Sequence, residues 1–82
     1  MKLVKITTEF ITLGQLLKYL GIIASGHEAK TFLQTENVLV NGENENRRGR
    51  KIYKNDQISI KGSLYKIDGW YVLFKKTKPN KL

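Results

Sequence analysis

The sequence predicts an α+β fold: two N-terminal helices packed on a small antiparallel sheet, with an extra C-terminal hairpin. Three observations predict it. Two early stretches repeat apolar residues at helical spacing, each behind a capping signal. From residue 38 onward the pattern changes to short alternating strands separated by Asn-Gly, Lys-Gly-Ser and Asp-Gly turns. The 82 residues, 40% of them apolar, suffice for one small core. The reading is a single domain over 1–76, with a motif core at 12–60, a hairpin at 63–75 and a basic tail at 77–82.

Residues 3–7, LVKIT, read as a short strand with Val4 and Ile6 on one face. In TLGQLLKYLG, Thr12 and Gln15 match a capping box, and Leu13, Leu16, Leu17 and Leu20 fall at i, i+3, i+4 and i+7. Gly21 supplies the stop. Ser25 and Glu28 form a second S-x-x-E box, with Ser25 as the N-cap of a helix from about 26 to 34. Ala29, Phe32 and Leu33 make its apolar face; His27, Lys30, Thr31 and Gln34 make the opposite one, which carries no acid. Residues 38–40 form a strand, and Asn41-Gly42 turns the chain, because both central positions of a type I′ turn need positive φ. In YKNDQISI a turn precedes a strand: Asn55 suits a left-handed backbone, and Ile58 and Ile60 point inward. KGS turns the chain into LYKI, and Asp68-Gly69 turns it again into WYVLF, with Trp70, Val72 and Phe74 on one face. The end, KKTKPNKL, holds the only proline and reads as a frayed tail.

Enzymatic chemistry finds little support. There is one histidine and no cysteine, so neither a zinc site nor a disulfide framework can be assembled from ordinary ligand spacings. His27 beside Ser25 lacks an orienting acid, and Ser25 is better explained as a cap. No phosphate-binding or dinucleotide-binding glycine motif occurs. No cofactor is expected. No apolar run approaches the roughly 18–20 residues of a membrane span, and the N-terminus lacks a signal-peptide pattern. The expectation is a cytoplasmic protein without a membrane partner.

Charge is more informative. The net charge is +8, unevenly spread. Residues 1–46 carry four lysines and five glutamates, whereas residues 47–82 carry eleven lysines or arginines against Asp56 and Asp68. Such asymmetry suits an acidic partner: nucleic acid, an anionic membrane or an acidic protein. The basic half opens with Arg47, Arg48, Arg50 and Lys51, close behind Asn41-Gly42. In a regular strand Arg48 and Arg50 would share a face with Ile52, which belongs in a core. ENENRRG is therefore expected to be an irregular loop, with pairing resuming near Lys51 or Ile52. Surface pairing with Glu43 and Glu45 would contribute only about 0–1 kcal/mol each. Two acids do not neutralise four bases plus Lys54, and arginine donates to phosphate at two points. The aromatics Tyr53, Tyr65, Trp70 and Tyr71 suit either the core or base stacking, with the core the commoner use.

Residues 12–60 resemble the S4-type RNA-binding domain, the helix-helix-strand (alpha-L) motif first known from a small-subunit ribosomal protein. The matching features are the leucine-rich first helix, SGHEAK opening the second, VLVNGE, the basic segment RRGRK, and ND. Their combination is most similar to the stand-alone YaaA-like or YbcJ-like members. The resemblance implies RNA binding without catalysis, to structured ribosomal or transfer RNA, with a role around ribosome assembly. It departs from the family where Gly26, His27 and Glu28 replace a basic helix opening, and where Asn55 stands in place of a glycine. The expected RNA-binding residues are Arg47, Arg48, Arg50, Lys51 and Lys54 around the loop, Ser25, Gly26, His27 and Lys30 on the second helix, and Lys18 and Asn41 beside them. The backbone N–H groups at 25–27 are expected to donate to a phosphate. The protein is expected to act as a monomer. Alanine at Arg47, Arg48 and Arg50 is expected to abolish RNA binding and leave thermal unfolding nearly unchanged. The competing readings are a basic module docking on an acidic protein, and nonspecific DNA binding.

Overall fold

The computed structural model describes residues 1–69. In chain order the elements are β1 (Lys2–Ile6), β2 (Phe10–Thr12), α1 (Leu13–Tyr19), α2 (His27–Thr35), β3 (Val38–Val40), β4 (Glu43–Asn44), β5 (Lys51–Tyr53), β6 (Gln57–Ile60) and β7 (Ser63–Gly69). The fold is α+β, as expected, with two corrections. The helices do not open the chain, because two strands precede them. The main sheet is mixed rather than antiparallel: its order is β1-β7-β6-β3-β4, and β1 runs parallel to β7. A parallel pair requires a long crossover. Here the crossover contains both helices and five of the strands, so nothing local to KLVKI reveals its partner. The unforeseen strand β2 pairs antiparallel with β5 as a separate two-stranded ribbon.

Alternation places Val4 and Ile6 of β1, Val38 and Val40 of β3, Ile58 and Ile60 of β6 and Ile67 of β7 on the inner face of the sheet, all buried. Leu13, Leu16 and Leu17 of α1, Ala29 and Leu33 of α2, and Ile52 of the ribbon close the same core. Two-residue turns join β3 to β4 and β6 to β7. Asn41 and Gly42 have φ of 53° and 86°, Lys61 and Gly62 of 50° and 81°. Both pairs meet the positive-φ requirement that matches a tight turn to strand twist. Asn55 is also left-handed, at φ 75°.

The capping box of α1 is complete: Thr12 Oγ1 accepts from Gln15 N at 3.2 Å, and Gln15 Oε1 accepts from Thr12 N at 3.0 Å. Its C-terminal end closes through Gly21 N to Lys18 O and Ile22 N to Leu17 O, both at 3.0 Å. Gly21 is left-handed there, the Schellman arrangement. Only half of the second expected box forms. Ser25 contributes no side-chain cap, and Gly26 occupies the N-cap position. Glu28 Oε1 instead accepts from Ala24 N at 2.6 Å and Ser25 N at 3.2 Å. A carboxylate in the first turn also suits the helix dipole.

The expected turn at Asp68-Gly69 falls inside β7, where Asp68 pairs with Lys5 and Gly69 with Ile6. A neighbouring strand to pair with outweighs the local turn preference of Asp-Gly. The second limb of the expected hairpin, with Trp70 and Tyr71, and the tail at 77–82 lie outside the described residues.

Candidate nucleic-acid interface

The chain leaves β4 at Asn44 and rejoins the ribbon at Lys51, so residues 45–50 are irregular, as expected; Glu43 and Asn44 are not, being paired with Val40 and Leu39. Glu45 organises this segment. Its backbone N–H donates to Val38 O at 2.8 Å, and its side chain is only 6% exposed. The carboxylate accepts from Arg47 Nε at 2.9 Å, Arg47 Nη2 at 3.1 Å and the Arg47 backbone N–H at 3.0 Å. Arg50 Nη1 donates to its Oε1 at 2.7 Å. Arg47 thus meets the carboxylate in the two-point fork that guanidinium and carboxylate geometry favours. The hydrogen bonds from Arg47, and behind them those from Arg50, outweigh burial and hold the Glu45 carboxyl down from 4.5 to about 2. The same pairing raises Arg47 above its ordinary value. Without these partners a carboxylate so shielded from water would be strongly unfavourable.

The loop is also tied to both helix starts. Leu13 N donates to Arg50 O at 2.8 Å, and Gly14 N donates to Arg48 O at 2.9 Å. The first N–H groups of a helix have no partner within it; here the loop supplies two. Gly14 permits the approach, since a Cβ there would stand 3.3 Å from Arg48 Cβ and 3.4 Å from Arg48 O. Arg48 Nη1 then reaches Gly26 O at 3.0 Å, joining the loop to the start of α2.

Three open depressions follow one another over this surface. The first is lined by Arg47, Gly49, Arg50, Lys51 and Tyr53. The second shares Gly49 and adds Thr12, Gly14, Gln15, Gly26 and Arg48. The third shares Gln15 and continues past Lys18 to Tyr19. Of the expected residues, Arg47, Arg48, Arg50, Lys51, Gly26 and Lys18 therefore line one continuous surface. Lys30 and His27 are exposed on α2 but line none of the three depressions. Lys54 is half-buried in the turn after β5. Asn41 is engaged structurally: its Nδ2 donates to Asp56 Oδ1 at 3.0 Å, and its Oδ1 accepts from Gln57 N at 2.9 Å. The Ser25 N–H, expected to donate to a phosphate, is already taken by Glu28.

The residues that sequence reasoning missed are Glu45 as an organiser, Gly14 and Phe10. Nothing in ENENRRGRK separates Glu45 from Glu43, which is exposed. The signal for Phe10 and Gly14 is tertiary: both matter because β5 and the loop return beside them.

Two short helices, a sheet and a cationic loop laid across the helix starts define a class, the small RNA-binding domain of helix-helix-strand type. The chain belongs to the S4 domain family, which it matches over residues 4–68. The match takes in most of β1 and most of β7, beyond the 12–60 core expected from the motifs. The chain is similar to a "Probable ribosome maturation protein RlbA" of Bacillus subtilis (strain 168), 54% identical over 59 residues, which are 72% of this chain and 83% of the relative.

Proposed function

We propose that the protein binds structured RNA, ribosomal RNA above all, and acts in the maturation or function of the ribosome without catalysing a reaction. The observation that carries this is the loop at 45–51, held by Glu45 and Arg48 across the starts of both helices with its remaining cationic surface turned to solvent. The name of the Bacillus subtilis relative, a probable ribosome maturation protein, favours ribosomal RNA. Arg47, Arg48, Arg50 and Lys51 would meet phosphates of a folded RNA; Lys18 extends the track along α1, and Lys30 and His27 flank it on α2. Contacts of this kind position a backbone and read shape rather than base sequence. The protein would act as a cytoplasmic monomer.

Filter binding with fragments of ribosomal RNA, duplex DNA and polyglutamate tests the reading. Ribosomal RNA is expected to bind tightest. Changing Lys18, Lys30 and Lys51 together to alanine should weaken that binding by at least about tenfold, since every phosphate left without its lysine keeps a condensed counterion that binding would otherwise release. The melting temperature should stay the same. Polyglutamate binding as tightly as RNA would replace the proposal with a protein-docking module, and equal affinity for duplex DNA with a nonspecific binder.

A further inference from the structure

The β2–β5 ribbon presents an aromatic face on the side away from the core. Its register pairs Phe10 with Tyr53, Ile11 with Ile52 and Thr12 with Lys51. Ile52 is fully buried and Ile11 packs against the same core. Alternation therefore puts Phe10, Thr12, Lys51 and Tyr53 on the outer face. There the Phe10 and Tyr53 rings lie 5.7 Å apart, tilted by 52°. Lys51 Nζ stands 5.0 Å from the centre of the Phe10 ring. Tyr53 remains 44% exposed and lines the same depression as Arg47, Gly49, Arg50 and Lys51.

An aromatic ring braced by a second ring, open to solvent and bordered by cations has the chemistry of a nucleobase platform. Every base has a π-face that such a ring can cover, and the adjoining cations can hold the flanking phosphates. A base inside a duplex is already stacked and does not offer that face, whereas loops, bulges and ends do. We infer that the Phe10–Tyr53–Lys51 face stacks an unpaired base of the RNA, beside the loop that holds its backbone. The ligand class is then a structured RNA carrying an unpaired nucleotide next to a paired stem. This inference rests on the RNA-binding reading above. Tyr19, 65% exposed at the far end of the same surface, has no ring stacked on it among the described residues and serves as the comparison.

The test uses an RNA hairpin with 2-aminopurine in its loop, beside a blunt RNA duplex of the same length. The wild-type protein should quench the aminopurine fluorescence and prefer the hairpin by at least about fivefold, the low end of the roughly 5- to 150-fold that alanine substitution finds for single stacked bases. Tyr53→Leu, which keeps an apolar group against Phe10, should remove both the quenching and the preference while leaving duplex affinity and melting temperature unchanged. Tyr53→Phe and Tyr19→Leu should keep both. Equal binding of hairpin and duplex without quenching overturns the stacking site and leaves RNA binding intact. Failure to bind either RNA overturns both. If Tyr53→Leu does not fold, the wild-type quenching and preference decide.

Discussion

A carboxylate inside a cationic loop should weaken RNA binding if charge alone counted. Arg47, Arg48, Arg50 and Lys51 carry +4, and Glu45 reduces this to +3. The geometry argues the other way, because Glu45 fixes two of those arginines, one of them 73% exposed at the surface. Ordering a long side chain at an interface costs about 0.5–1.5 kcal/mol on binding, and a partner already holding it removes that cost. Glu45→Gln should therefore lower RNA affinity by about fivefold although it makes the site more positive; a rise would show that charge alone counts. The same change should lower the melting temperature by about 4–8 °C, as a loss of about 1 kcal/mol does in a domain this size. The low end is expected, since the Arg47 end of the pair is screened by water. Glu45→Gln also mimics the protonated acid. The folded-state carboxyl titrates near 2 against an ordinary 4.5. Its stabilisation is then complete above about pH 4.5 and fades as pH falls toward 2. Thermal melts of wild type and Glu45→Gln should converge across that window. Alanine at Arg47 and Arg50 attacks the same arrangement from the other side, by leaving Glu45 buried without partners. Thermal unfolding of the triple arginine variant should therefore shift, against the sequence-based expectation that it would not.

At the scale of elements, α1 and the arginine loop form one unit joined at Gly14. A methyl group there gains up to about 1 kcal/mol of helix propensity over glycine. It also presses on Arg48, whose Cβ would lie 3.3 Å away. These effects oppose each other, so Gly14→Ala should leave the melting temperature nearly unchanged. Gly14→Val adds branched bulk that the close approach cannot absorb; overpacking of this kind costs about 1–3 kcal/mol. It should lower both the melting temperature and RNA affinity, read by calorimetry and filter binding. The same unit shows where sequence reading works and where it stops. The α1 cap and stop were legible because Thr12, Gln15 and Gly21 act within a few residues of one another. The turns at Asn41-Gly42 and Lys61-Gly62 were legible because positive φ restricts residue type. The irregular course of 45–50 followed from setting two arginines against Ile52. By contrast, β1 finds its partner in β7, far along the chain, and β2 is only three residues long, so neither pairing leaves a local pattern. The cationic site could be read from its charges. Which arginines are held by Glu45, and which face Tyr53 occupies, depend on register.

For the whole molecule, the question is whether RNA responds to the net charge of +8 or to a patch. The cations are dispersed. Lys2, on β1, lies 5.9 Å from the Tyr65 ring, and Lys61, in the β6–β7 turn, lies 5.7 Å from the Phe32 ring. Arg47, Arg48, Arg50, Lys51 and Lys18 line the continuous surface instead. If that surface neutralises about five phosphates, the logarithm of the association constant should fall with the logarithm of salt at a slope of roughly −3.5 to −4.5, between single-strand and duplex behaviour. A net-charge effect and a patch predict the same wild-type slope, so that slope cannot separate them; single substitutions can. Lys51→Ala should reduce the slope by about 1, because a phosphate is left without its cation. Lys2→Ala removes the same unit of charge away from the surface and should leave the slope unchanged. Equal reductions from the two variants would mean that RNA responds to the overall charge and that the loop has no special place in binding. A wild-type slope near zero would remove phosphate contacts from the account altogether.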